Sequence, residues 1–120
     1  MVYELLHIAP ILGMPTIEPG DDLNEQLITA CRANGGLEAG DILVIVSKVI
    51  ARADDRFVKL DDIRPDPTAV KLSRVVSKDP RLVHLILQES KGLWRTAPGV
   101  MIVRHKLGFI TENAGIIAQN

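Results

Sequence analysis

What the sequence lacks narrows the possibilities first. It holds a single cysteine, Cys31, in 120 residues, so an internal disulfide is impossible and a multi-thiolate metal cluster has no ligands to draw on. Charge of either sign is not in excess. Fourteen basic and fifteen acidic residues leave a formal net charge of -1, which gives no concentrated basic surface for nucleic acid or an anionic membrane. Long apolar runs are missing too: the longest, such as Ile42 to Val46, fall far short of the roughly 20 residues that cross a bilayer. Glu4 and His7 interrupt the N-terminus where a secretory signal would be uniformly apolar. The expectation is a cytoplasmic protein with no nucleic-acid and no membrane partner. No nucleophile motif is present, nor histidines paired at metal spacing, nor a Gly-x-x-x-x-Gly-Lys phosphate loop.

What is present has the balance of one globular domain. Hydrophobic residues make up 47%, charged residues 24% and aromatics 3%, which separates the chain from disordered and fibrous classes. At this length folding buries about two-thirds of the unfolded surface, provided every element finds a partner. No repeat, low-complexity tract or linker marks a boundary within residues 1–120.

Tyr3 to Ile8 reads as a first strand stopped at Pro10. Gly13, Pro15, Pro19 and Gly20 punctuate a loop ending at Asp21-Asp22, either of which can cap a helix starting at Leu23. Leu23, Leu27, Ala30 and Cys31 recur at helical spacing, and Gly35-Gly36 supplies the stop. After the turn pair Gly40-Asp41, the run Ile42-Leu43-Val44-Ile45-Val46 has the signature of a strand buried on both faces and is the expected centre of the sheet. Polarity returns from Ser47 to Arg56, with Lys48, Arg52 and Arg56 among small and aliphatic residues.

Asp66-Pro67 and Asp79-Pro80 each place a capping residue before a proline suited to the first helical turn, which predicts helices at about 67 to 77 and 80 to 90. In the second, Leu82, Val83, Ile86 and Leu87 form one apolar stripe. Gly99 to Val103 predicts a strand, Lys106-Leu107-Gly108 a turn, and Phe109 to Thr111 the antiparallel return. The expected fold class is α/β in the broad sense, an α+β mixture with a central mixed sheet, a terminal β-hairpin and about three helices. The apolar stretch from Asn113 to Asn120, with Ile116 and Ile117, suggests a partner surface or a larger fold; a frayed end packed on its own domain is the alternative.

The chemistry-bearing features are anion-binding ones. A glycine and proline loop runs from Gly13 to Pro15, and a hydroxyl stands beside a cation at Ser47-Lys48 after the apolar run, where ligands often sit beyond strand ends. Each has a plainer reading, the loop as a simple turn and Lys48 with Arg52 as a solvated strand edge. His7, His84 and His105 have no spacing that forces them together. Trp94 reads as a packing anchor, Cys31 as a small core residue, and Asp54-Asp55 and Asp61-Asp62 as solvated loop charges.

The order of segments resembles the coenzyme F420 glutamate ligase family. The matching stretches are Ile11-Leu12-Gly13-Met14-Pro15, Gly20-Asp21-Asp22-Leu23, Gly40-Asp41-Ile42-Leu43-Val44 with Ser47-Lys48-Val49, Asp79-Pro80-Arg81-Leu82-Val83 with Glu89-Ser90, and Gly108-Phe109 leading to Asn113-Ala114-Gly115-Ile116. The resemblance is to the N-terminal half of that fold. It implies a GTP-dependent ligase, usually a homodimer, in which GTP phosphorylates the carboxylate of a deazaflavin precursor and the amine of glutamate then attacks. Charge in such a phosphoryl transfer is neutralised by cations, so Mg2+ or Mn2+ is implied as well.

Carried over by residue, the resemblance places Leu12, Gly13, Met14 and Pro15 against the nucleotide, with Ser47, Lys48, Arg52 and Asn120 contacting it. Arg52 stands where lysine is usual, which keeps the charge but replaces a compact ammonium with a planar fork. After Asn-Ala-Gly-Ile the family has a metal-binding aspartate and this chain has Ile117, which cannot ligate a hard cation; Gln119 stands where serine is common. The metal ligands expected from this chain are therefore none, the lone chain is expected to be inactive, and the remaining ligands are expected from a C-terminal half. The alternative is a noncatalytic nucleotide-binding or assembly module derived from the same family.

Overall fold

A computed structural model describes residues 5–118. Contacts cluster into two compact units, residues 1–57 and 58–120.

The first unit is built on two helices and their connecting turns. Helix α1, Leu23–Ala33, starts where Asp22 Oδ1 accepts a hydrogen bond from the Glu25 N–H at 3.0 Å, satisfying one of the orphan donors of the first turn. It ends at the glycine pair through two bonds, Gly36 N–H to the Cys31 carbonyl at 2.8 Å and Gly35 N–H to the Arg32 carbonyl at 3.3 Å. That closure needs left-handed backbone, and Gly35 has a φ of 101°. Helix α2, Ser47–Ala53, was not foreseen; the basic segment expected to leave a strand end is a short helix. Within this unit the buried apolar side chains are Ile17, Ala30, Cys31 and Ala53, so Cys31 is the core residue expected of it.

One turn device occurs twice here. In Glu18-Pro19-Gly20-Asp21 the Asp21 N–H donates to the Glu18 carbonyl while the Asp21 carboxylate accepts from the Glu18 N–H at 2.8 Å. Glu38-Ala39-Gly40-Asp41 repeats the pair of bonds, again with a 2.8 Å carboxylate contact. In both, glycine takes the third position with positive φ, where a side chain would be strained.

Two predicted strands are corrected. Of the first, Tyr3 and Glu4 lie outside the described residues, and Leu5 to Ile8 stand exposed and form no ladder among the described residues. Residues 42–46, expected at the sheet's centre, pair with no strand among the described residues. A continuous apolar run signals burial on both faces, yet here Ile42 and Val44 are 88% and 87% exposed.

The second unit is a two-layer α+β sandwich. Helices α3, Pro67–Val76, and α4, Pro80–Gln88, carry the predicted caps: Asp66 Oδ1 accepts from the Ala69 N–H at 2.7 Å and Asp79 Oδ1 from the Arg81 N–H at 2.8 Å. They pack together and on a three-stranded sheet of β1, Ser90–Ala97, β2, Val100–His105, and β3, Ile110–Glu112. The order is β1-β2-β3 and both pairings are antiparallel, so the sheet is not the mixed one expected. The predicted hairpin is β2 and β3. Strand β1 was missed, and it joins β2 through Pro98-Gly99, whose Gly99 N–H donates to the Val76 carbonyl at 2.8 Å and so ties the turn to the end of α3. The core is Ala69, Val76, Val83, Ile86, Met101, Val103 and Ala114, and the largest fully buried side chains among the described residues all belong to it. Among the described residues no helix is long and apolar enough to cross a membrane.

Candidate nucleotide site

The loop carrying Leu12, Gly13, Met14 and Pro15 is held at its start by one side chain. Asn34, capping the end of α1, accepts from the Leu12 N–H through Oδ1 at 3.1 Å and donates from Nδ2 to the Leu12 carbonyl at 2.8 Å. The amide thus satisfies both backbone groups of Leu12 as a neighbouring strand would. Leu12 itself is exposed, so the loop offers backbone and an apolar side chain to solvent. Gly13 has a φ of 79°, which gives the bend a geometry that favours glycine.

Further along, the loop is tied to α2. The Gly20 N–H donates to the Ala53 carbonyl at 3.0 Å, and Arg52 Nη2 pairs with Glu18 Oε2 at 3.1 Å. The guanidinium carbon also lies 5.9 Å from the centre of the Phe57 ring, within reach of a cation–π attraction. Arg52 Nε is buried and has no hydrogen-bond acceptor among the described residues. Ser47 and Lys48 open α2 and are exposed. Lys48 and Arg52 are four residues apart on one helix and therefore share a face. Asn120 lies outside the described residues.

A cleft of about 320 Å³ opens nearby, floored by Leu27, Ile45 and Ile50 and rimmed by Asp21, Asp22 and Asp54. None of the predicted site residues lines it. Three carboxylates on its rim repel phosphate, and two of them already have structural work in the turn and the α1 cap. Asp21 is held below the usual carboxylate range, chiefly by the Glu18 N–H and then by the Gln26 side chain.

The other singled-out residues are structural. His84 Nδ1 accepts from the Asp66 N–H at 3.4 Å, and His105 stacks on Phe109 with ring centres 4.7 Å apart. Arg81 grips Asp79 through Nη2 at 2.8 Å and reaches Asp61 through Nη1 at 2.8 Å. The Arg81 hydrogen bonds lower the Asp79 pKa, and the same contacts raise that of Arg81. Trp94 is not the packing anchor expected; it is exposed on β1 with the Arg104 guanidinium 6.0 Å from its ring.

Among the described residues no group of three or more His, Cys, Asp or Glu side chains is placed to hold a metal ion. Ile117 is 60% exposed and offers no donor atom. The described residues do not by themselves fit a divalent cation.

Sequence reasoning missed two residues that set this geometry. Asn34 was signalled only by its place before the glycine pair. Glu18 is separated from Arg52 by 34 positions, a distance over which no local periodicity can pair two charges.

Fold and site together define an α+β protein with a pinned glycine and proline loop beside a short basic helix. A family model described as F420-0:Gamma-glutamyl ligase matches residues 12–120, and the chain belongs to that family. Similar proteins include the coenzyme F420:L-glutamate ligase of Methanopyrus kandleri, 35% identical over 115 residues covering 96% of this chain and 44% of that one. Those of Methanothermobacter thermautotrophicus and Archaeoglobus fulgidus are 35% and 33% identical, over 90% and 96% of this chain and 43% and 44% of theirs. This chain therefore spans less than half the length of these relatives.

Proposed function

We propose that this chain supplies the N-terminal portion of a coenzyme F420:L-glutamate ligase and contributes part of its nucleotide site. Family membership across residues 12–120 is the observation that carries the reading. In it, GTP activates the carboxylate of the deazaflavin precursor as an acyl phosphate, because a carboxylate is a poor electrophile until one oxygen becomes a good leaving group. Glutamate then attacks through its amine, giving an amide, GDP and phosphate. Homodimer formation and a cytoplasmic location belong to the same proposal.

For this chain's own residues the roles are binding and orientation. Gly13 to Pro15 lie against the nucleotide, with Leu12 contributing backbone. Lys48 and Arg52 carry positive charge from one face of α2, and Ser47 adds a hydroxyl. Arg52 keeps a positive charge, and its planar fork suits a phosphate contact. Glu18 opposes it by occupying the same guanidinium. Asn120 completes the set. The Mg2+ or Mn2+ of the family's chemistry would need ligands beyond those this chain shows.

The test is turnover with GTP, glutamate, divalent metal and the deazaflavin precursor. No product is expected from the lone chain, and product is expected when a polypeptide corresponding to the relatives' remaining portion is supplied. Product from the lone chain would overturn the reading of Ile117 as disabling, and absence of product in both arms would remove the ligase reading.

Ile117 favours a second reading, a noncatalytic nucleotide-binding or assembly module. Calorimetry with GDP separates the two: binding that ignores added metal supports the module, and binding that requires metal supports the ligase portion. No binding with or without metal would defeat the nucleotide site in both.

A further inference from the structure

Residues 42–46 belong to no ladder among the described residues, and four of the five side chains are exposed, Ile45 alone being partly buried. Ile45 turns inward onto the floor of the cleft beside Leu27 and Ile50. Ile42, Val44 and Val46 alternate outward and are 88%, 87% and 66% exposed. Among the described residues the backbone bonds of this run are confined to its end, where the Val46 carbonyl accepts from the Val49 N–H at 3.0 Å as α2 begins. Such a segment has the side-chain chemistry of a doubly covered strand and the surroundings of a largely exposed one.

We infer that residues 42–46 form a β-strand completed by polypeptide corresponding to the part of the ligase relatives that this chain does not span. That polypeptide lies alongside as ladder partner and across the Ile42, Val44 and Val46 face as an apolar layer. A second copy of this chain fits less well. Twofold self-pairing uses the same edge of both strands and leaves the other edge open. The relatives hold the needed material, because more than half of the length of each lies outside the matched span. The turn at Glu38–Asp41 fixes the entry to the run, and Val46, in extended backbone, leads into α2 at its exit, so the run is anchored at both ends for the addition of a strand.

The inference rests on the chain being one portion of the ligase-family fold. Its test reads amide exchange rather than turnover, so failure of GTP binding or of amide formation leaves it standing. Hydrogen–deuterium exchange is followed across residues 42–46 in the 120-residue chain, alone over a dilution series and after addition of the unmatched portion of the Methanopyrus kandleri or Methanothermobacter thermautotrophicus relative. Fast exchange is expected in the lone chain at every concentration, with slowing on the order of 100-fold once the complementary polypeptide is present. Val44→Lys should leave the melting of the lone chain unchanged and abolish that protection. Protection in the dilute lone chain, protection that grows with its own concentration, or none gained from either complement would each overturn the inference.

Discussion

The turn at Asn113–Gly115 offers the sharpest test of how this chain positions the residue after its family motif. Asn113, Ala114 and Gly115 take consecutive positive φ values of 52°, 53° and 75°. Asparagine and glycine tolerate that region, but alanine does so at a cost of about 1–2 kcal/mol. Ala114 nonetheless belongs in the core with Val76, Val83, Ile86, Met101 and Val103, and Ile116 packs against the same cluster. A valine there would add branching where left-handed backbone crowds Cβ and would overfill a packed site. These effects sum to about 2–5 kcal/mol of destabilisation for Ala114→Val. Ala114→Gly balances differently. It relieves about 1 kcal/mol of backbone strain and loses about 0.8 kcal/mol of methyl burial, leaving stability within about 0.5 kcal/mol of the parent. Urea unfolding followed by circular dichroism measures both. A valine variant as stable as the parent would show that the turn is not held by the core.

Three further outcomes follow from the first unit and the α4 cap. Glu18→Gln should lower stability by less than about 1 kcal/mol, because the pair is half exposed. If Arg52 serves a phosphate, the same change should tighten GDP binding about 2- to 5-fold by calorimetry; unchanged or weaker binding would detach Arg52 from the site. Asn34→Ala removes both bonds to the Leu12 backbone and should cost about 1–2 kcal/mol in urea unfolding, with faster amide exchange at Leu12; loss below about 0.3 kcal/mol would mean the loop is pinned elsewhere. Asp79 has a folded pKa lowered by Arg81, so its contribution is present above the unfolded value of about 4 and is lost as pH falls through the folded value. Asp79→Asn should therefore flatten the stability profile below about pH 4, and a profile identical to that of the parent would contradict the assignment.

The parts of the fold legible in the sequence were those whose causes are local. Asp22, Asp66 and Asp79 each bond the backbone a few residues on, and the glycine pair after α1 closes it by the expected bonds. The β2 and β3 hairpin followed from an apolar run, the Lys106-Leu107-Gly108 turn and a short apolar return. Strand β1 was hidden because Lys91, Gly92 and Arg95 break its period, and two register shifts along its pairing with β2 scramble which side faces the helices. The candidate site was legible as a set of segments, but its geometry depends on Asn34 and Glu18 acting across loops.

The run at residues 42–46 is the instructive disagreement, because sequence and structure are both right about different things. Five consecutive aliphatic residues state that both faces are to be covered, and among the described residues four of the five are exposed. Burying Ile42, Val44 and Val46 would contribute about 4–9 kcal/mol at the usual 1.5–3 kcal/mol per large aliphatic side chain, comparable with the whole stability of a small domain. Among the described residues the first unit buries no large side chain apart from Ile17, so that contribution is a large share of what can hold it together. An element of this kind ties folding to assembly. Helix α2, proposed to meet the nucleotide, follows this same run directly, and a partner that orders the run would steady the start of that helix.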